Sequence, residues 1–140
     1  MSDQNHMQFN HIVRIAREDG RFLPEAFLFV SESFQRTQQW VQEKVILPLE
    51  SEDARGQESE FHVSGQELLV GIRKLARERW GEMAPYVLGQ WRVRKTEDFG
   101  TIVFLMVTDS ELDWRKRDCD SIDDFSDGYD FETAFLDEEI

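Results

Sequence analysis

Residues 96–108, TEDFGTIVFLMVT, decide between an all-α fold and one that contains a sheet. By propensity alone, its β-branched and aromatic second part, residues 101–108, favours a strand. Thr96, in contrast, is a good N-cap residue, and Glu97 and Asp98 suit the first turn of a helix. The apolar residues behind them share one helical face: Phe99, Ile102, Val103, Met106 and Val107. Because no other segment is an obvious pairing strand, we expect a helix.

The preceding segment, residues 64–81, carries the signals of both helix ends. Ser64 and Glu67 have the spacing of a capping box, and Gly81 is a stop signal after Trp80. Between these ends one face is apolar, which predicts the burial of Leu68, Leu69, Ile72, Leu75 and Ala76. The other face is predicted to point outward, with Arg73, Lys74 and Arg77.

Similar patterns predict further helices on either side. Residues 7–18 have helical periodicity and end at Gly20, and Pro24 opens a second, Phe-rich helix. A short helix is expected over residues 83–90 and a solvated loop over about residues 50–60. The predicted class is therefore all-α, a small bundle of four to five helices. Its expected core contains Phe27, Val30, Phe34, Leu68, Ile72, Leu75, Val103 and Met106.

Composition bounds the class of protein. A chain of 140 residues, 40% of them hydrophobic, is long enough for one domain with a sizeable core. The single cysteine excludes an internal disulfide, and residues 1–10 lack the regions of a secretion signal. The longest uninterrupted apolar stretch, residues 102–107, is too short for a membrane span. We expect a cytoplasmic protein that has no membrane segment.

Residues 118–140, DCDSIDDFSDGYDFETAFLDEEI, form a tail that is both acidic and aromatic. They hold ten carboxylates and neither Lys nor Arg, which alone would predict a solvated tail. Leaving an aromatic ring in water, however, forgoes roughly 1.5–3 kcal/mol of burial. We therefore expect the tail to dock, on its own domain or on a partner, through Phe125, Tyr129, Phe131 and Phe135.

Charge is distributed unevenly along the chain. The net charge is −5 over residues 1–64, +2 over residues 65–117 and −10 over the tail. A single helical domain over residues 1–117 thus includes a mildly basic part that can attract the tail. The rings are expected to anchor the tail and the charges to orient it, because exposed ion pairs contribute only about 0–1 kcal/mol. The expected basic counterparts are Arg92, Arg94, Lys95, Arg115, Lys116 and Arg117.

No residue pattern predicts catalysis, a cofactor or a metal site. The residues around Gly128 lack two ligands of a calcium loop, and His6, His11, His62 and Cys119 have no zinc-ligand spacing. Cys119 has no neighbouring His and is flanked by two aspartates, which oppose thiolate formation. We therefore predict a non-enzymatic protein without cofactor or metal. It is expected to bind an unidentified protein partner as a regulatory or adaptor module.

The alternative is a nucleic-acid-associated regulator whose tail is an autoinhibitory mimic. Basic clusters at residues 73–79, 92–95 and 115–117 favour this alternative. Against it, the recognition helix would be residues 97–107, which begin with two acids and are otherwise almost entirely apolar. The net charge of −13 also opposes binding to nucleic acid or to an anionic membrane. Nucleic acid is therefore the less favoured partner.

Three sequence motifs resemble those of a known family: HVSGQELLVGIR at residues 62–73, TEDFGTIVF at 96–104 and DFSDGYDFETAF at 124–135. Together they resemble a family of small conserved hypothetical proteins described from planctomycetes and verrucomicrobia. The resemblance covers about residues 7–136, and the chain departs from the family in a longer insert at 45–60. It implies no activity, cofactor or site. It does imply that the tail belongs to the pattern of the domain.

Overall fold

The computed structural model describes residues 2–46, 63–108 and 128–135, and within them it is helical and contains no strand. A 3-10 turn at Gly81–Met83 precedes the fourth helix. In chain order the helices are α1 (Ser2–Asp19), α2 (Pro24–Gln42), α3 (Gly65–Trp80), α4 (Ala84–Gln90), α5 (Thr96–Val107) and α6 (Phe131–Ala134). The predicted all-α bundle is confirmed. The four longer helices, α1, α2, α3 and α5, form its body.

Local side-chain chemistry sets the ends of the helices. The Ser64 hydroxyl accepts the Glu67 N–H at 3.1 Å, and the Glu67 carboxylate accepts the Ser64 N–H at 3.0 Å. The predicted capping box at the start of α3 is therefore confirmed. Gly20 and Gly81 follow α1 and α3 with φ of +80° and +55°, a region that glycine enters without a Cβ clash.

The start of α5 differs by one residue from the sequence-based expectation. Lys95, in extended conformation, is the N-cap, whereas Thr96 is the first helical residue and is buried. Asp98 performs the capping, because its carboxylate accepts the N–H groups of Arg94 at 2.8 Å and Lys95 at 3.3 Å. An acid in the first turn thus satisfies backbone donors at the helix entrance, and the Thr96 hydroxyl is not used as the cap.

The core lies where α2 meets its neighbours. α2 packs most extensively against α3, and it also contacts α1 and α5. Burial along α5 follows the helical period, since Ile102, Val103 and Met106 point inward whereas Phe104 is 45% exposed. One apolar stripe facing other helices is why this strand-like composition folds as a helix. All eight predicted core residues are buried: Phe27, Val30, Phe34, Leu68, Ile72, Leu75, Val103 and Met106.

An aromatic cluster ties α2 and α3 to the connection between α4 and α5. The ring centroid of Phe29 lies 5.1 Å from that of Trp80 and 5.8 Å from that of Trp91, and the two indoles meet edge to face at 5.5 Å. The Leu23 N–H also donates to the Trp91 carbonyl at 3.3 Å, just before α2 begins. Such ring pairs add about 0.5–1.5 kcal/mol beyond their burial, so this cluster fixes one end of the bundle.

α2 and α3 approach most closely where Gly71 faces Thr37. A Cβ placed on Gly71 would lie 1.7 Å from the Thr37 hydroxyl oxygen and 2.8 Å from its Cβ. Thr37 itself is fully buried, and its hydroxyl donates to the Ser33 carbonyl at 2.6 Å. The hydrogen bond within α2 therefore holds the Thr37 side chain in place, and only glycine fits opposite it.

We expect Gly71→Ala to destabilise the protein. Alanine gains up to ~1 kcal/mol in helix propensity, but overpacking a tight contact costs about 1–3 kcal/mol, so the net change is a loss. Denaturant unfolding followed by circular dichroism measures the change. Gly89→Ala, whose added Cβ meets nothing within 4 Å, is the matched control and should be neutral or stabilising. Equal stability of the two variants would contradict the tight crossing.

Candidate functional site

Residues 128–135, here called the docking segment, fold as a single helical turn that gathers three aromatic rings. The Asp130 carbonyl accepts the Ala134 N–H at 2.9 Å, which closes the turn. Ring centroids lie 6.2 Å apart for Tyr129 and Phe131, 5.9 Å for Tyr129 and Phe135, and 5.6 Å for Phe131 and Phe135. The turn therefore presents the three rings as one cluster.

This ring cluster packs against the bundle. Phe135 is 1% exposed and Phe131 is 7% exposed, and the Phe131 ring lies 5.8 Å from that of Phe99 on α5. Two of the four rings expected to anchor the tail are therefore buried against the same chain. Burial of a ring of this size is worth roughly 1.5–3 kcal/mol, which makes the rings the main anchors of the segment.

Two hydrogen bonds join the segment to α3. The Tyr129 hydroxyl donates to the Leu69 carbonyl at 2.8 Å, and the Arg73 Nε–H donates to the Ala134 carbonyl at 2.7 Å. Leu69 and Arg73 are one helical turn apart, so they lie on the same stripe of α3. Arg73 reaches the end of α6, where carbonyls have no partner inside the turn. These polar contacts fix the register of the rings.

The segment also touches the start of α5 at very short range. A Cβ placed on Gly128 would lie 2.2 Å from the Thr96 hydroxyl oxygen and 2.5 Å from its Cβ and Cγ2. The backbone of Gly128 therefore lies directly on the Thr96 side chain. We call the surface of α3 and α5 that receives the segment the docking groove; it is formed by Leu69, Arg73, Thr96 and Phe99.

Arg73, predicted to point outward, has a partner in the docking segment that the sequence did not predict. Its side chain is partly buried, because the docking segment covers it and takes a hydrogen bond from it. The hydrophobic periodicity of α3 places Arg73 on the polar face of the helix. That periodicity does not indicate that a segment 55 or more residues later in the chain packs on this face. Leu69, Arg73 and Thr96 were therefore missed as docking residues.

The other predicted site residues are placed as follows. Arg92, Arg94 and Lys95 are exposed between α4 and α5, and the Lys95 ammonium lies 3.8 Å from the Glu97 carboxylate. Their attraction to the tail carboxylates stays a prediction. Outside the described residues lie Phe125, Arg115, Lys116 and Arg117.

Arg92 ends α4, a structural role that the sequence analysis did not predict. Its φ of +72° lies in the left-handed region, and it follows the last turn of α4. The next residue, Val93, donates its N–H to the Leu88 carbonyl at 2.9 Å, and both apolar side chains are fully buried. This is a Schellman closure of the helix, with arginine at the position that glycine usually occupies.

We expect Gly128→Ala to release the docking segment while the bundle stays folded. The new Cβ cannot coexist with the Thr96 side chain, so the segment must move out of the groove. Amide hydrogen exchange should accelerate at Thr133 and Ala134, whose N–H groups donate to the Asp130 carbonyl in the docked turn, with little change in α2. Gly89→Ala is again the matched control and should leave exchange in the segment unaltered. Unchanged protection in Gly128→Ala would contradict the close contact.

The electrostatics of Tyr129 tie docking to pH. Burial raises the pKa of Tyr129 above its ordinary value of 10.0, and the positive charge of Arg73 opposes this rise only in part. A group whose pKa is raised by folding stabilises the folded state fully below its unfolded pKa. That stabilisation is lost as the pH rises beyond the unfolded value, because the unfolded chain then releases its proton first.

We therefore expect docking to weaken at alkaline pH through Tyr129. Between about pH 10 and 11.5, the wild-type free energy of unfolding should fall more steeply than that of Tyr129→Phe, by up to ~1.4 kcal/mol per pH unit. The difference between the two proteins isolates Tyr129 from the lysines that titrate in the same range. Parallel curves for wild type and Tyr129→Phe would show that the hydroxyl is not buried in the groove.

The described residues carry no further candidate centre. Among them, no three His, Cys, Asp or Glu side chains are grouped so that they could hold a metal ion. No helix within the described ranges has both the length and the apolar character needed to cross a membrane. The docking groove is therefore the feature on which a functional argument rests.

Comparison with known proteins gives no relative. No protein-family model, curated protein or solved structure matches the chain. The family resemblance described above thus stays a prediction, and function is argued from the geometry of the groove.

Proposed function

We propose that this protein is a non-enzymatic interaction module of regulatory or adaptor type. Its docking groove is a peptide-binding site that its own C-terminal segment occupies, and a protein partner engages the groove when that segment leaves. The observation that supports this proposal most directly is the packing of Tyr129, Phe131 and Phe135 against α3 and α5. A short helical turn laid into a groove is a recurring mode of peptide recognition.

The contacts favour a reversible occupant. The segment is held by two buried rings, a third ring that is partly buried, and two hydrogen bonds worth about 1 kcal/mol each. Docking also has to offset the conformational entropy of residues 128–135, at about 1–2 kcal/mol for each backbone unit. A segment held by so few contacts is one that a competitor can displace.

The geometry favours a protein partner over nucleic acid. Phe99, Ile102 and Met106 of α5, the helix that would have to read base edges, are buried, and the docking segment also covers its first turn. The groove itself takes aromatic rings and offers a backbone carbonyl and one guanidinium. These are contacts for a peptide, and they leave no row of basic side chains that follows a phosphate backbone.

A peptide-binding measurement tests the proposal. The probe is a fluorescent peptide with the sequence of residues 124–135, added to the full-length wild type and to full-length Phe131→Ala/Phe135→Ala. The double variant, whose own segment lacks two anchors, should bind the peptide at least ~10-fold more tightly than wild type. The wild-type segment competes in cis at about millimolar effective concentration, which explains the difference.

Two controls make the result specific. A peptide in which both phenylalanines are alanine should not bind, because it lacks the same anchors. Adding Arg73→Ala to the double variant should weaken binding of the intact peptide by about 10-fold, since a hydrogen bond from a charged donor is lost. Duplex DNA at low and high salt should bind neither protein. Equal peptide affinity for wild type and the double variant would sink the proposal.

A further inference from the structure

We propose that the groove accepts the docking segment of a second copy of this chain, so that two copies exchange segments reciprocally. This inference rests on the proposed function, because it names the partner of the same groove. The proposed occupant is the docking segment of that second copy, because the structure shows how this segment fits the groove. The segment offers a glycine, a tyrosine next to it, and two phenylalanines four residues apart.

The fit is specific in ways that few segments satisfy. Gly128 lies where Thr96 leaves no room for a Cβ, and the Tyr129 hydroxyl meets the Leu69 carbonyl. The last carbonyl of the turn, that of Ala134, meets Arg73. Since every copy of the chain carries both the groove and the segment, each of these contacts can form between two copies without alteration.

The length of the intervening chain permits the exchange. α5 ends at Val107, while Gly128 lies beside Thr96 at the opposite end of the same helix. A helix of this length spans about 18 Å. The 19 residues 109–127 can reach about 60 Å when extended, roughly three times what the return along α5 requires. The connection is therefore long enough to place the segment in the groove of a neighbour.

Charge sets the conditions for exchange. Each copy carries a net charge of −13, so two copies repel each other at low ionic strength. The ring contacts and the two hydrogen bonds of the segment are short-range and are much less sensitive to salt. Exchange should therefore increase with protein concentration and with salt, which is the opposite of the salt dependence expected for binding to a basic partner.

A complementation experiment with two full-length variants tests the inference. Phe131→Ala/Phe135→Ala keeps an intact groove and has a defective segment, whereas Arg73→Glu keeps an intact segment and has a defective groove. Each variant alone should be monomeric, near the chain mass of 16.6 kDa. Their mixture should give a species of about twice that mass in analytical ultracentrifugation, because one intact pair of segment and groove is restored.

Arg77→Glu is the matched control for the change of charge on α3. It should form several-fold less heterodimer with the Phe131→Ala/Phe135→Ala protein, because its own segment stays docked in its own groove. If Arg73→Glu does not fold, the wild type decides the question. Its dimer fraction should rise with concentration and salt, and Phe131→Ala/Phe135→Ala should abolish that rise.

The outcomes separate this inference from the proposed function. Absence of a heterodimer, while the peptide of residues 124–135 still binds the Phe131→Ala/Phe135→Ala protein, overturns exchange between copies and leaves the groove as a site for a foreign partner. Failure of both the peptide and the second copy overturns the proposed function as well. If Arg73→Glu does not fold and the wild type is measured instead, a wild type that stays monomeric at high concentration and high salt overturns exchange.

Discussion

The close crossing of α2 and α3 is the constraint on which the rest of the fold depends. Gly71 lets the backbone of α3 approach Thr37, whose hydroxyl is held by the Ser33 carbonyl. This contact fixes the distance between the two helices that pack most extensively. With that distance set, Leu68 and Ile72 enter the core, and every other surface of α3 acquires a defined position.

α3 consequently serves both the core and the docking groove. Its inward residues Leu68 and Ile72 are fully buried, whereas Leu69 offers its carbonyl, and Arg73 its guanidinium, to the docking segment. Adjacent stripes of one helix therefore link the stability of the bundle to the geometry of the groove. A substitution at the crossing, such as one at Gly71, is expected to change the docking of the segment, because the crossing and the groove are both built on α3.

The docking segment illustrates how rings and charges divide their tasks. Phe131 and Phe135 supply apolar burial in a tail of net charge −10, and the partly buried Tyr129 supplies a hydroxyl that donates to the Leu69 carbonyl. The second hydrogen bond to α3 runs from the Arg73 Nε–H to the neutral backbone carbonyl of Ala134. Docking that uses rings and backbone in this way leaves Asp130, which is exposed, at the surface of the domain.

The sequence by itself determined the elements and their inward faces. The capping box at Ser64 and the period of α5 are local properties, set by hydrogen bonds within a turn and by the spacing of apolar side chains, and both were predicted. The aromatic rings among the acids of the tail likewise predicted that the tail would dock. Only the tertiary structure decided where they lie, because the pairing of Arg73 with Ala134 and of Gly128 with Thr96 depends on backbone positions that no local pattern encodes.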